Sequence, residues 1–588
     1  MSTFRIPNSV GQIRISDRSE TQGEILESFS IDINNPFGKI KPSNKLVKVL
    51  DETNLSGGRV QALAVYFRSG SAIAPQYYAV SSDYIAVCPT TLDPKVLANW
   101  ESISTFAIAP TVTTGIGSES DAVVFNNLLL VSRSQDIWVF DGEFDDRDWW
   151  TTVTLGGELG AALTANFPHT LHVHKGGVET VFVTDRNRVR YANTEAGHST
   201  ITLSSDQVAV CIASGVDAIW AGTYSTSSDS AYVYEIFIGQ VSPNSTPIAN
   251  RAFKIDGRAV LSLEVIDNIP YIITDKGNLQ AFNGAGFVTV ARLPFSGTPS
   301  VLEGMTLGNV DADNNQRPVH PKGMRASNGS LFINVNTETE NIVDNLQDPV
   351  AKKSPSGVWE YNVATGQIHH RYAFANAAAN NGSKLHNFTG PLMIVDSPFT
   401  FLMAGAEIND TTAGLFMESN NKYGYFITPE ILSEVVQDSY TDLFIKATNN
   451  GTINVKYRTK KRPDQFANFT LATPNTINTT DTVTVEVGDE VTMIDGALHG
   501  AVAHVVEVNT SVSVTSLVLD TDIGTTGQTG TAEITNFHKF PHSYNETKEY
   551  EKWGSDLVNP WIQYKVEMIG DLEIRDLVSI GKVKTPLS

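Results

Sequence analysis

Cysteine is scarce in this sequence. The 588 residues contain two, Cys88 and Cys211, which lie far apart in the chain. A disulfide framework or a metal-binding cysteine cluster needs more thiols at closer spacing, so both are expected to be buried small apolar residues of a protein assembled in a reducing compartment. Long apolar runs are missing too. No stretch approaches the roughly 18 residues that a membrane span needs, and the N-terminal segment lacks the apolar core of a secretory signal. These absences predict a protein made in the cytoplasm, with no membrane span.

Positive charge is also scarce. Lys and Arg number 42 against 64 Asp and Glu, which leaves a formal net charge of −22 at pH 7. Generic binding to a phosphate backbone needs clustered Lys and Arg, so this balance argues against it. The same net charge is compatible with a protein surface along which a nucleic acid moves without binding, because acidic side chains repel its phosphate groups.

One basic cluster stands out against this acidic background. It contains Lys456, Arg458, Lys460, Lys461 and Arg462. Lys456 and Arg458 are predicted to share one face of a strand, with the other three at its end. Three interpretations stay open: contact with an acidic neighbouring subunit, contact with DNA, or a solvated strand end. The net charge of the chain favours the subunit over DNA.

Helical periodicity is rare. Val, Ile, Thr, Tyr and Phe recur in short bursts separated by Gly, Asn, Asp and Ser, a pattern typical of many short strands joined by tight turns. The clearest helix candidate is PEILSEVVQDS at 429–439, where Pro429 suits the first helical position, although its apolar residues suit a strand almost as well. The chain is therefore predicted to be mainly β.

A strand–turn–strand unit recurs along the middle of the chain. Its clearest copies are LLLVSRSQDIWVFDG (128–142), TVFVTDRNRVRYAN (180–193) and PYIITDKGNLQAFNG (270–284). Related segments begin near residues 77, 218, 331 and 391. A spacing of roughly 40–60 residues predicts an irregular β-propeller of about six or seven blades. Unrelated hairpins in large β-sandwiches are the alternative.

The two ends of the chain differ from the repeats. DLFIKATNNGTINVKYRTKKRP (442–463) has a hairpin pattern around an Asn-Gly turn. NPWIQYKVEMIGDLEIRDLVSIGKVK (559–584) alternates apolar and polar residues, and VTVEVGDEVTMIDGALHGAVAHVVEV (483–508) resembles the strands of a small barrel. We expect the chain ends to form a β-sandwich or platform domain with a small β-barrel inserted into it.

These patterns predict five segments in chain order. They are an N-terminal arm with platform strands, the propeller, a first set of platform strands, the small barrel and the C-terminal platform strands. Their predicted boundaries are 1–55, 56–427, 428–470, 471–537 and 538–588.

Candidate metal ligands are few. His169, His172 and His174 lie in one short segment, and the second and third would share a strand face. A metal site needs further ligands and outer-shell partners, and no such cluster is visible in the sequence. His369 and His370 would point to opposite faces of an extended strand, so they form a weaker candidate still.

Other chemical motifs are no stronger. DADNNQ at 311–316 lacks the Gly and Glu that an EF-hand calcium loop needs at its sixth and twelfth positions. The glycine-rich segments lack the Lys-Ser/Thr ending of a P-loop, and there is no Gly-x-Ser-x-Gly nucleophile elbow. No catalytic residue, cofactor-binding residue or metal ligand is predicted, and no cofactor.

A propeller-type glycoside-cleaving enzyme is the catalytic alternative. Such an enzyme needs paired carboxylates at the central face. Asp141, Asp185 and Asp275 recur at turn positions of the repeat, where Asp commonly bonds the backbone of a tight turn. Repetition at turns favours a structural role, so the chain is predicted not to be an enzyme.

The whole pattern resembles the nozzle and tubular tail proteins of short-tailed bacteriophages. It combines an acidic chain, an irregular propeller, a platform built from the chain ends and loops rich in Asn, Thr and Ser. SGVWEYNVATGQIHHRYAF (356–374) and WIQYKVEMIGDLEIRDLVSIGKV (561–583) are similar in character to phage tail sequences. The resemblance transfers no functional residue.

This resemblance implies a virion structural protein of the tail, assembled in the host cytoplasm. Copies of the chain would form a ring, expected to be hexameric, in the conduit for DNA ejection. DNA would pass through the lumen without specific binding, and other tail or adaptor proteins would be partners. A receptor- or glycan-binding tail protein and the propeller enzyme are the two alternatives.

Overall fold

The structure is a computed structural model, and its described residues form strands and one short 3-10 helix (Leu97–Asn99). This confirms the prediction of a mainly β chain. The described residues are 3–5, 27–33, 39–50, 60–66, 75–81, 84–104, 121–133, 136–140, 163–164, 167, 169–175, 179–194, 197–226, 230–237, 251–293, 318–335, 357–375, 388–395, 401–407, 413–428, 431–432, 439–448, 451–458, 462, 464–493, 498, 501–511, 513–539, 551–554 and 561–583.

Two compact units share the chain. The first, called the barrel unit here, comprises Met1–Val47, Thr339–Leu385 and Ser419–Ser588. The second, called the propeller unit, comprises Lys48–Glu338 and His386–Glu418. The barrel unit therefore combines segments from both halves of the sequence, while the propeller unit comes from its middle.

The N-terminal part of the chain contributes five strands. They are β1 (Thr3–Arg5), β2 (Glu27–Phe29), β3 (Ile31–Asp32), β4 (Lys41–Pro42) and β5 (Asn44–Leu50).

Five consecutive antiparallel sheets give the propeller unit a propeller-like arrangement of blades. Within each sheet, neighbouring strands follow one another in the sequence. The first has β6 (Ala62–Tyr66), β7 (Gln76–Val80), β8 (Tyr84–Pro89) and β9 (Glu101–Ser104). The second has β10 (Asp121–Phe125), β11 (Leu128–Arg133) and β12 (Asp136–Phe140).

The other three sheets have four strands each. The third has β13 (Leu171–Lys175), β14 (Glu179–Asp185), β15 (Arg188–Thr194) and β16 (Gly197–Thr202). The fourth has β17 (Gln207–Ser214), β18 (Ala218–Ser225), β19 (Tyr232–Phe237) and β20 (Arg251–Lys254). The fifth has β21 (Val260–Ile266), β22 (Ile269–Thr274), β23 (Asn278–Phe282) and β24 (Phe287–Arg292).

Tight two-residue turns explain why the repeats fold as hairpins. Asn126 and Asn127 join β10 to β11 with φ values of 48° and 61°, and Asp267 and Asn268 join β21 to β22 with φ values of 50° and 64°. Asn and Asp tolerate positive φ better than other non-glycine residues, and two such residues match the twist of the strands that they connect.

Apolar side chains fill the spaces between neighbouring sheets. Phe182 of the third sheet packs in one cluster with Ile219 of the fourth. Trp220 of the fourth sheet lies 5.0 Å, between ring centroids, from Phe282 of the fifth. Burial of each large apolar side chain stabilises the fold by about 1.5–3 kcal/mol, so these layers hold the blades together.

The remaining strands of the propeller unit bring its end back to its beginning. They are β25 (Met324–Ser327), β26 (Ser330–Val335), β30 (Phe388–Val395), β31 (Phe401–Glu407) and the first residues of β32 (Ala413–Ile427). The first strand of each sheet or hairpin contacts the next one in the order β6, β10, β13, β17, β21, β25 and β30. Since β30 also contacts β6, these inner strands close a circle.

Two glycines allow a close backbone approach at this closure. A Cβ atom on Gly390 would lie 2.5 Å from the carbonyl oxygen of Val60 and 2.9 Å from the Cα of Gly405. Nδ2 of the buried Asn334 donates hydrogen bonds to the carbonyl oxygens of Gly390 and Gly405, at 3.2 and 3.0 Å. Neither glycine has room for a side chain unless the backbone around it moves.

The barrel unit contains a closed six-stranded barrel, as the sequence predicted. Its strands are β36 (Gln465–Thr473), β37 (Thr476–Thr479), β38 (Glu490–Met493), β39 (Val502–Thr510), β40 (Thr515–Leu519) and β41 (Thr529–Thr535). They pair around the barrel in the order β36-β37-β40-β39-β38-β41. Apolar side chains such as Phe469, Val491 and Leu517 fill the interior.

The other strands of the barrel unit come from its three chain segments. They are β27 (Gly357–Asn362), β28 (Ile368–Tyr372), β29 (Phe374–Ala375), β33 (Ile431–Leu432), β34 (Ser439–Thr448), β35 (Gly451–Arg458), β42 (His538–Lys539), β43 (Glu551–Gly554), β44 (Trp561–Gly570) and β45 (Glu573–Val583). The helix candidate at 429–439 contributes Ile431 and Leu432 to β33, and most of its other residues lie outside the described part of the chain.

The hairpin predicted at 442–463 is wrong in its pairing. Both of its strands form, but β34 pairs with β43 and β45, whereas β35 pairs with β42 and β44. Ile445 of β34 and Val455 of β35 belong to the same buried cluster. The two strands thus lie in separate sheets over a common core, because stacking the sheets buries their apolar faces.

Replacing Gly390 with Ala tests the closure of the propeller unit. We expect the new methyl group to collide with backbone atoms of Val60 and Gly405 and to lower the free energy of unfolding by about 1–3 kcal/mol. Differential scanning calorimetry of the full chain measures the change. Gly286→Ala is the matched control, because a Cβ there meets no atom within 4 Å. Equal melting of the two variants would contradict the proposed close approach.

Candidate functional site

Strand β44 is buried on both faces, and one of them is charged. Its apolar face, with Tyr564 and Val566, lies in the core that the two sheets share. Its opposite face carries Gln563, Lys565 and Glu567, all of which are buried as well. A charged face can be buried only where its charges find partners, so the partners of this face define the site.

Two lysines lie directly opposite each other on this face. Lys456 of β35 is the cross-strand partner of Lys565 of β44. Like charges in this position repel and destabilise a sheet unless an anion lies between them. The Nζ atom of Lys456 bonds Glu567 Oε1 at 2.7 Å, which compensates one of the two charges.

Glu490, the first residue of barrel strand β38, supplies the second anion. Its Oε2 accepts a hydrogen bond from Lys456, and its Oε1 accepts one from Lys565 at 2.7 Å. Each oxygen therefore binds a different lysine. Glu490 thus joins the barrel to the sheet that contains β35 and β44. We call the set of Lys456, Glu490, Lys565 and Glu567 the barrel junction.

The junction favours the ionised forms of Glu490 and Lys565. Burial alone would raise the pKa of Glu490, but the ammonium groups of Lys456 and Lys565 hold that pKa below its usual value. Burial would likewise lower the pKa of Lys565, but the carboxylates of Glu490 and Glu567 raise it well above its usual value. A carboxylate and an ammonium group whose pKa values shift in these directions stay ionised near neutral pH, so Glu490 and Lys565 are suited to fastening the barrel and do not offer a proton for catalysis.

Arg458 is held close to the same junction. Its Nε donates to Gln563 Oε1 at 2.6 Å, its Nη1 lies 3.6 Å from Asp464 Oδ1, and its guanidinium lies 4.6 Å from the ring centroid of Phe537. Gln563 Nε2 in turn donates to the carbonyl oxygen of Thr428 at 2.7 Å. Arg458 is therefore bonded and stacked within its own chain.

The structure revises the interpretation of the basic cluster. Lys456 and Arg458 share a strand face, as expected, but that face is buried and bonded to groups of the same chain, so neither side chain is presented to a neighbouring subunit or to DNA. Arg462 is partly buried and pairs with Asp489. Lys460 and Lys461 lie outside the described residues.

No local pattern in the sequence indicated which carboxylates would pair with Lys456 and Lys565. Lys565 and Glu567 alternate with apolar residues in β44, which is the usual pattern of a strand with one solvated face. Glu490 follows a Val-Gly-Asp turn and looks like an ordinary barrel residue.

Two of the three histidines considered as metal ligands, His169 and His172, have other partners. The ring nitrogens of His169 lie 2.8 and 3.0 Å from the carbonyl oxygens of Thr184 and Thr164. His172 Nε2 lies 2.7 Å from Ser214 Oγ. Among the described groups that could hold a metal ion, none includes His169, His172 or His174.

The turn aspartates have the local partners of structural residues. Asp185 pairs with Arg190 at 2.5 Å, and Asp275 accepts backbone hydrogen bonds from Arg258 and Ala259 at 2.9 and 3.2 Å. Asp141 lies outside the described residues. The two aspartates that are described thus support the ends of strands, in line with a role in turns.

Carboxylates on the inner strands of the propeller unit are paired with basic side chains. Asp121 accepts the backbone N–H of Leu171 and lies 3.6 Å from Lys322 Nζ. Glu264 lies 3.3 Å from Arg325 Nη1. Each of these carboxylates has a cation of its own beside it.

Comparisons with known proteins locate similar folds only. No protein-family model matches the chain, and no curated protein matches it. Among solved structures, the WD40 β-propeller domain of Doa1 is 11% identical with a TM-score of 0.34, over 63% of this chain and 97% of that one. Streptogramin B lyase is 10% identical with a TM-score of 0.37, over 64% and 97%. Similarity at this level supports no inference about function.

No helix in the described part of the chain is long and apolar enough to cross a membrane.

Replacing Glu490 with Gln tests the barrel junction. The amide cannot neutralise the two opposed lysines, so we expect the free energy of unfolding to fall by about 3–5 kcal/mol, the usual cost of breaking a buried ion pair. Calorimetric or urea unfolding of the full chain measures the loss. Glu507→Gln, at an exposed position of the same barrel, is the control and is expected to change stability by about 0.5 kcal/mol or less. A Glu490 variant as stable as this control would refute the assignment.

Acid is expected to weaken the same junction. The pKa of Glu490 is lower in the folded chain than in the unfolded chain, where it is near its usual value of 4.5. The stabilisation is therefore complete above that value and decreases as the pH falls below it. Melting temperatures of the parent and of Glu490→Gln, measured from neutral pH downwards, should converge below about pH 4.5. A constant difference down to pH 3 would count against an ionised Glu490.

Proposed function

We propose that this chain is a structural subunit of a short-tailed phage tail, a nozzle or tube protein whose copies form a ring around the path of ejected DNA. The observation that carries the proposal is a sheet edge in the barrel unit that the described residues cover only in part. In the sheet β1-β45-β34-β43, the inner strands β34 and β45 are ten and eleven residues long, while the outer strands β1 and β43 have three and four. Long edges with unpaired backbone groups are places where another chain can add a strand.

The pairing registers define the uncovered parts of this edge. β1 pairs with Val578–Ile580 of β45, and β43 pairs with Asp442–Ile445 of β34. Beyond the bridge between Ile40 and Ile574, the other outward backbone groups of these strands have no strand partner among the described residues. An isologous or head-to-tail contact at this edge is how we propose that the ring assembles, with hexameric symmetry as the expectation.

The charge distribution supports a conduit. The chain has a net charge of −22, and several of its cations, including Lys456, Arg458 and Lys565, are buried against carboxylates of the same chain. These cations are unavailable to phosphate groups, and a lumen lined by such a chain would repel DNA. DNA would then pass without specific binding, and other tail or adaptor proteins would be the partners at the ends of the ring.

We also propose that the propeller has seven blades. The circle of inner strands comprises β6, β10, β13, β17, β21, β25 and β30, and each would start one blade. In this arrangement Lys48–Leu50 of β5 would lie beside the first residues of β32, so that a strand from before the first blade completes the last one. Joining the two ends of a propeller in one sheet avoids an open edge there.

Binding of a receptor glycan is the second candidate, and a groove on the barrel favours it. The groove has a volume of about 500 Å³ and no charged residue among its lining side chains. Amides and hydroxyls, such as those of Asn468, Asn478 and Thr531, are groups that hydrogen-bond sugar hydroxyls. An enzymatic function has no comparable observation in its support.

Ring formation is tested on the full chain by sedimentation and negative-stain electron microscopy. We expect rings with a central channel, and mass spectrometry of purified virions should detect the chain. A chain that stays monomeric at high concentration, and is absent from virions, would overturn the proposal.

A truncation sharpens this test. Removing residues 1–26 deletes β1 and uncovers more of the β45 edge, so we expect ordered rings to give way to irregular association through that longer edge, while the melting transitions of both units persist. A deletion through residue 50 would be uninformative, because Leu46 and Leu50 are fully buried and their loss would unfold the chain. Gly286→Ala, at a position where a Cβ meets no atom within 4 Å, is the assembly-competent control. Rings of the truncated chain equal to those of the control would exclude this edge as the contact.

A further inference from the structure

A buried histidine in the barrel unit lies beside two carboxylates and has no hydrogen-bond partner in the part of the chain that the structure describes. His369, on β28, is fully buried, and neither Nδ1 nor Nε2 has a hydrogen-bond partner among the described residues. Burying an imidazole without hydrogen bonds is costly, and such groups in native structures point to an unseen water or ion. This histidine belongs neither to the barrel junction nor to the proposed assembly edge.

Two carboxylates converge on this ring. Glu360 of β27 is the cross-strand partner of His369, and Asp32 of β3 approaches from the N-terminal part of the chain. One oxygen of each carboxylate and one nitrogen of His369 all lie within 4.8 Å of one another. Three donor atoms from three strands are therefore close to one another.

The spacing of the donors suits a small divalent ion. His369 Nε2 lies 3.6 Å from Glu360 Oε2, which is too far for a hydrogen bond. Two ligands bound at about 2.0–2.1 Å to a tetrahedral zinc ion lie roughly 3.3–3.5 Å apart. A small inward movement of one side chain would bring both atoms to ligand distance.

The protonation state of the ring agrees with this geometry. Burial, with the nearby Arg371 guanidinium, lowers the pKa of His369 to about 3, against the opposing effect of Asp32. The imidazole is therefore neutral at physiological pH, which is the form that binds metals. It cannot form a charged pair with Glu360 under those conditions.

Arg371 lies beside the carboxylates and shares them. Its Nη1 lies 3.2 Å from Asp32 Oδ2, its Nε lies 3.3 Å from Glu360 Oε2, and its Nη1 also donates to Ser43 Oγ at 2.8 Å. Nε of Arg371 and Nε2 of His369 lie beside the same oxygen of Glu360, Oε2, so that oxygen would bind the ion while the guanidinium orients the carboxylate. Outer groups of this kind commonly position the ligands of metal sites.

We propose that Asp32, Glu360 and His369 form a binding site for one divalent transition-metal ion of the zinc type. Three protein ligands of this kind leave one position for water, and imidazole with carboxylate suits zinc among such ions. The ion would link β3 to the β27–β28 hairpin, although Asp32 and Glu360 are 328 positions apart in the sequence. Its role would be to stabilise the barrel unit, independently of the phage-tail function proposed above.

Cobalt and zinc titrations of the chelator-treated full chain test the site. We expect one Co²⁺ per chain with the visible absorption of a four- or five-coordinate ion, its displacement by Zn²⁺, and a higher melting temperature with Zn²⁺ than with chelator. His369→Ala and Glu360→Gln should each weaken Co²⁺ binding at least about tenfold. His172→Gln, at a partly buried histidine of the propeller unit, is the control and should bind Co²⁺ like the parent.

Two results would overturn the proposal. One is a parent chain with neither a Co²⁺ spectrum nor a Zn²⁺-dependent melting shift, which would mean that a buried water alone occupies the space. The other is unchanged Co²⁺ affinity in the His369 and Glu360 variants, which would place the ion elsewhere. If circular dichroism shows that these variants are misfolded, Asp32→Asn at the partly exposed ligand replaces them, and the same tenfold criterion applies.

Discussion

The barrel unit depends on one constraint, the burial of both faces of strand β44. Its apolar face completes the core between two sheets, and its charged face lies under the inserted barrel. Lys456 and Lys565 would repel each other without Glu490, and a barrel displaced by a few ångströms would leave both lysines buried without their shared anion. The ion pairs thus restrict where the barrel can lie, while the apolar core supplies most of the stabilisation.

The propeller unit is held together by different means. Its hairpins depend on two-residue turns with positive φ, and its sheets depend on apolar layers such as the one between Phe182 and Ile219. Closure brings Val60 close to Gly390, over 300 residues away in sequence, and needs glycine because backbone meets backbone there. The regular turns explain why the repeat can be recognised in the sequence. The closure between the first and last strands does not follow this repeat, and the spacing between repeats varies.

The barrel unit and the propeller unit use their basic residues in the same way. Basic residues are few, and many of those that the structure describes are bonded to carboxylates, as in Arg190 with Asp185 and Lys456 with Glu567. Such cations stabilise the fold and are removed from the pool that could attract phosphate. Because each of these cations is buried with a carboxylate, the pairs leave the net charge of −22 unchanged, and fewer basic side chains remain to attract phosphate, as the proposed conduit requires.

Local patterns in the sequence were sufficient for the β class, the propeller repeats and the small barrel, because turn residues and two-residue alternation are short-range signals. They were insufficient for the pairing of β34 and β35, since the same alternation suits a hairpin and two stacked strands alike. The basic cluster also needed the tertiary structure: alternation shows that Lys456 and Arg458 share a face, but not whether water or Glu490 lies beyond it. The meeting of Asp32 with His369 depended on chain closure over hundreds of residues, which no local pattern encodes. The sequence by itself therefore determined the elements and their turns, and only the tertiary structure decided which faces are buried, because burial depends on partners that are distant in the chain.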